Sequence, residues 1–141
     1  MESIRNRSLE DLEGAGVPPE GDSYLQSAIR RLQKVPIRSL RLEDLRLLIG
    51  QELGLRFLVP MALEHVEAHP LAAGDFYRGD LLKAVVSVPE TFWDGHPTLR
   101  RSLVTALERA LAIIGKTSPP PDLDREFRAS LAHHRERLDG I

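Results

Sequence analysis

From Pro97 to Gly115, apolar residues return every three or four positions: Leu99, Leu103, Ala106, Leu107, Ala110 and Ile114. At 3.6 residues per turn they share one face, so the segment is an amphipathic helix that needs a core to cover it. Pro97 brings the preset dihedral of a first helical position, and Gly115 supplies the stop. Similar stripes run through Leu25, Ile29, Leu32 and Val35, through Leu42, Leu45, Leu48 and Ile49, and through Leu55, Leu58, Ala62 and Val66. A last one joins Leu123, Phe127, Leu131 and Leu138. No stretch alternates apolar and polar residues as a half-buried strand would. The fold class is therefore all-α, a compact single-domain bundle of about six to eight short helices.

The 141 residues suffice for one core, and 42% apolar with 28% charged residues is a globular balance. Residues 1–22 read as an N-terminal tether with one short helical turn, in which Ser8 and Asp11 have capping-box spacing before "GAGVPPEGD" breaks it. Residues 23–141 form the helical domain, with a proline-rich linker at 116–122 before the C-terminal helix. Pro60 either kinks its helix or begins a new one. "LLKAVVSV" has enough valine for a strand, but a helix is expected, with Asp80 as its N-cap and Pro89 as its end.

One stretch resists simple assignment. "HPLAAGDFYRGDLL" (69–82) interrupts the helices with two glycines, two aspartates and an adjacent Phe–Tyr pair, more than a helix connection needs. Phe76 is expected to plug the core beneath this corner. Asp75 and Tyr77 either fasten the corner or face a partner. Arg78-Gly79-Asp80 spells an adhesion tripeptide, but the capping role expected of Asp80 and the lack of an export signal weigh against that use.

Several function classes fall away. The formal net charge of −2 gives no basic field for nucleic acid, and the absence of cysteine excludes thiolate chemistry and disulfides. There is no phosphate-binding loop, nucleotide fingerprint or nucleophile elbow, so no enzyme chemistry is indicated and no cofactor is expected. His65 and His69 in "EHVEAH" are four apart, but Glu67 lies about 200° round the helix from both, unlike the zincin order. No metal is expected there. His133 and His134, being adjacent, are expected on different faces of a surface helix. No apolar run has signal-peptide length and none approaches the ~18 residues of a membrane span, so a cytoplasmic protein without membrane contact is expected.

The charge is polarised. Six Lys/Arg stand against two acids from Arg30 to Arg46, and seven acids against three basic residues from Glu52 to His96. An acidic middle suits a cationic protein partner, or is simply a solvated face. The candidate contacts are Glu52, Asp75, Tyr77, Asp80, Glu90, Trp93 and Asp94, which combine charge with the aromatic anchors interfaces favour.

"EDLRLLIGQ", "LVPMALE" and "GDFYRGDLL", with the trailing "VPETFW", occur in an order and spacing that resembles a known family. They look like the CdiI-type immunity proteins of bacterial contact-dependent growth inhibition (CDI) systems. The resemblance covers 42–93, and loosely the region to Gly115. It implies a cytoplasmic, non-enzymatic inhibitor that binds a cognate toxin domain, often a nuclease, with no nucleic-acid, membrane or small-molecule partner of its own. The alternative is a helical adaptor or regulatory module with a different protein partner.

Overall fold

In the computed structural model, residues 4–14, 23–114 and 121–139 are described, and among them lie eight α-helices and no strand. They are α1 (Leu9–Glu13), α2 (Tyr24–Leu32), α3 (Leu42–Gly50), α4 (Leu55–Ala68), α5 (Asp80–Val86), α6 (Glu90–Asp94), α7 (Pro97–Ile114) and α8 (Pro121–Asp139). Single 3-10 turns cover Ile4–Asn6 and Ile37–Ser39. The all-α expectation holds, including helix rather than strand at α5.

The first three helix starts have a local cause. Ser8 and Asp11 make the capping box read from the sequence, with Asp11 N–H on Ser8 Oγ at 3.1 Å and Ser8 N–H on Asp11 Oδ2 at 3.2 Å. Ser23 and Gln26 repeat it at α2. Asp44 closes the first turn of α3 by accepting the Arg41 N–H at 2.9 Å. α4 runs from Leu55 to Ala68 through Pro60, so of the two readings of that proline the start of a new helix does not apply. It stands in the second turn and leaves the Arg56 carbonyl without the usual partner from four residues on.

The core lies where α3, α4, α5, α7 and α8 meet. Leu45, Leu48, Leu58, Ala62, Val66, Leu81, Leu82, Val85, Leu103, Leu107 and Phe127 are wholly buried there. Most of the α7 stripe is inside, with Leu99 half-exposed at its edge. The start of the expected tether is instead built in. Leu9 is a core residue, Ile37 N–H bonds the Arg7 carbonyl, and Glu10 N–H bonds the Gln33 carbonyl. The "GAGVPPEGD" segment from residue 15 on, Gly115 and most of the proline-rich linker lie outside the described residues.

Candidate interaction surface

The corner between α4 and α5 is organised by two carboxylates beneath it. Asp80 is not the N-cap of α5: Gly79 holds that position with φ +92°, and Asp80 is the first helical residue. Its carboxylate turns back toward the loop and accepts the N–H groups of Gly74 (2.6 Å), Phe76 (3.1 Å) and Tyr77 (3.4 Å). Glu43, on α3, accepts the Asp75 N–H at 2.8 Å and holds Arg46 in a two-point pair at 2.8 and 2.6 Å. The hydrogen bonds from Arg46 keep the Glu43 carboxyl below its ordinary range, against the opposing effect of partial burial. α3 approaches so closely that a side chain at Gly74 would meet Glu43 Oε1 at 2.5 Å. That contact explains the first corner glycine.

Phe76 does not plug the core. Its side chain is outside, 68% exposed, with the Arg46 guanidinium 4.3 Å from the ring centroid. The space beneath is already filled: Leu71, Leu123 and Phe127 crowd against Gly79. Tyr77 is partly exposed beside it, and Asp75 and Arg78 are exposed.

The second polar constellation joins α6, α7 and α8 around Arg100, which is buried. Its guanidinium meets Glu90 Oε1 at 2.5 Å and Asp94 Oδ1 at 3.0 Å, and donates to His134 Nδ1 at 3.2 Å. His133 Nε2 lies 2.7 Å from the other Glu90 oxygen. Arg137 reaches both acids at 3.3 Å. Burial pulls against ionisation of Glu90, yet the hydrogen bonds from His133 and Arg100 hold its carboxyl down to about 2. His134 is not on a surface helix face but buried, its ring edge-on to Trp93. Burial, and then the positive Arg100, push its imidazole down to about 4.

The ligand atoms of Glu90, His133 and His134 lie within 4.8 Å of one another, a spacing that suits a metal. The Arg100 guanidinium already supplies a cation to that cluster, bonded to two of the three residues. The arrangement is an arginine-centred ion-pair network tying the C-terminal helix to the bundle. His65 and His69 are exposed at the far end of α4.

The seven sequence candidates therefore separate. Asp75 and Tyr77 share the corner. Glu90 and Asp94 sit on α6, paired with cations of α7 and α8. Glu52 is exposed in the turn after α3, nine residues on from Glu43 and apart from the corner. Two cannot offer a surface in this conformation. Asp80 is buried under the loop that it fastens. Trp93 is 1% exposed, and its Nε1–H is spent on the Val88 carbonyl at 3.1 Å. Glu43, Arg46 and Phe76 carry no site signal in the sequence, whereas Arg100 and His134 stand at stripe positions of α7 and α8.

The Arg100 network makes stability depend on pH. The unfolded chain protonates His134 near 6.5, the folded chain only near 4, so the unfolded state binds the extra proton between them. The groups facing the ring are Arg100 from α7, Glu90 and Trp93 from α6, and His133 from its own helix. Stability is expected to fall as pH drops from about 6.5 to 4, by roughly 3 kcal/mol in all. Urea unfolding at stepped pH measures the loss, and His134→Gln should flatten this window. Below it, from about 4.5 to 2, protonation of Glu90 removes further stability.

The described residues thus define a small helical domain whose buried polar side-chain atoms all have hydrogen-bond partners and whose corner carries exposed aromatics. The chain belongs to the CDI immunity proteins, whose family model matches residues 8–103. The match begins far ahead of the 42–93 stretch that carries the resemblance, and takes in α1 and α2. It ends within α7, so α8 with His133, His134 and Arg137 lies beyond it. No curated protein matches the chain. No helix among the described residues is long and apolar enough to cross a membrane.

Proposed function

We propose that this protein neutralises the toxin domain of its own CDI system by binding it in the cytoplasm, without catalysis, and that the toxin is a nuclease. Family membership over 8–103 carries the reading. The polar clusters support a binding rather than a catalytic role. Glu90, Asp94, Arg100 and His134 are consumed by one another, and Glu43, Arg46 and Asp80 are consumed in shaping a loop. What the molecule offers outward is shape, charge and aromatic surface.

A nuclease must attract a polyanion, so its binding surface is cationic, and carboxylates of the inhibitor steer the encounter. Asp75, Tyr77 and Glu52 are the exposed candidates for that contact, with Glu90 and Asp94 contributing from a rim already shared with arginines. Asp80 and Trp93 act from beneath, by holding the surface in shape. The test is co-expression with the toxin domain encoded beside this chain, followed by purification through a tag on the toxin alone. A stoichiometric complex is the expected result. A folded immunity protein that fails to co-purify would contradict the proposal.

A further inference from the structure

Phe76 and Tyr77 are exposed neighbours on a loop whose backbone is held at four N–H groups. Three of these donate to Asp80 and one to Glu43. Arg46, pinned by Glu43, stacks on the Phe76 ring from one side. The loop is thus fixed before any partner arrives, which lowers the ordering cost of an interface. Phe76 at 68% exposure places a large apolar ring in water, although Leu71, Leu123 and Phe127 show that the fold fills this region without it. The adjacent Asp75 carboxylate makes no close ion pair among the described residues, unlike Glu90, Asp94 and Glu43, and its charge reaches Arg46 only at longer range. With Glu43, Asp75 and Asp80 against Arg46 and Arg78, the corner carries three carboxylates and two guanidiniums.

An anionic group next to a flat ring is the chemistry of a nucleotide, a phosphate joined to a base. We infer that the 74–77 corner enters the nucleic-acid cleft of the toxin, where Phe76 and Tyr77 take the stacking positions of bases and Asp75 meets a phosphate-binding cation. The inference rests on the reading that the partner is a nuclease toxin. A basic surface elsewhere on this chain argues for that choice of face. Arg31 and Lys34, with Tyr24, form an exposed stripe along and just beyond α2, which a cationic cleft would repel. The corner is the face that such a cleft accepts.

The test uses the full-length protein and the purified toxin domain, with affinity measured by calorimetry. Phe76→Ala/Tyr77→Ala should weaken binding by about 100-fold or more, and Asp75→Asn by about 10-fold. Both variants should keep a helical spectrum and near wild-type melting, because the three side chains lie outside the core. Arg31→Glu/Lys34→Glu should bind at least as well as wild type. A nuclease-resistant phosphorothioate oligonucleotide of mixed sequence should compete with the wild-type protein for the toxin.

Undiminished binding of the double alanine variant overturns the assignment, as does loss of binding only in the α2 variant. Simultaneous, independent binding of oligonucleotide and immunity protein also overturns it. So does a dimer of the free protein that the double alanine variant dissolves, since the corner would then serve a second copy. A wild-type protein that binds no toxin at all contradicts the function itself and is read before any variant.

Discussion

Asp80→Ala will destabilise the protein by about 2–4 kcal/mol, although its hydrogen bonds run to the loop ahead of α5. A hydrogen bond to a charged group contributes about 1.5–3 kcal/mol, and this carboxylate receives three, one of them long at 3.4 Å. The released N–H groups of Phe76 and Tyr77 lie near the surface and recover water, which keeps the cost below the simple sum. Asp80→Asn retains one carbonyl oxygen and should lose about half as much. Urea unfolding gives the energies, and limited proteolysis should show new cleavage between Ala73 and Arg78 in the alanine variant. The same variant should lose toxin affinity, through a loosened corner rather than a missing contact. A stability within ~0.5 kcal/mol of wild type would mean that the loop holds its shape without Asp80.

Removing Arg100 will have a comparable effect by another route. Arg100→Ala takes from Glu90 its buried partner, leaving it only His133 and Arg137 on the solvent side, and deprives His134 Nδ1 of its donor. Breaking a buried ion pair from one side costs about 3–5 kcal/mol, and partial exposure of Glu90 and Asp94 puts this case near the lower end. Arg100→Lys should rescue little, because one ammonium cannot replace a planar fork that bonds three residues at once. Arg137→Ala removes contacts to the same two acids from the solvent side, and should cost under about 1 kcal/mol. Thermal melting of the three variants at low and high salt decides the matter. Only the Arg137 contribution should fade with salt. Equal losses at Arg100 and Arg137 would contradict a buried hub.

Elements whose signal is local were legible in the sequence. The stripes of α7 and α8 and the Ser8–Asp11 capping box follow from spacing, and the helical reading of "LLKAVV" holds although its N-cap is Gly79 and not the expected Asp80. The corner was legible as a special place but not in its orientation. Phe76 looked like a core plug because nothing nearby indicates that Leu123 and Phe127, more than forty residues on, occupy that space. Asp80 had cap spacing, and only the fold shows its carboxylate facing backward.

Charge was legible in amount and not in pairing. Glu90 and Asp94 counted toward an acidic middle, yet their cations come from 6 to 47 residues away. One further signal lies in the sequence. The series Leu123, Phe127, Leu131, Leu138 has a vacant step that His134 fills, and Arg100 continues the α7 stripe one turn toward its start. A polar residue at a stripe position marks a buried polar partnership, and here each is the other's partner.

The central claim is that this chain silences a toxin by occupying it, and an inhibition titration tests it most directly. Toxin-domain nuclease activity on a labelled nucleic-acid substrate is measured against rising amounts of the immunity protein. Activity should fall linearly to zero at one immunity protein per toxin. Full nuclease activity in the presence of excess, folded protein would contradict the account.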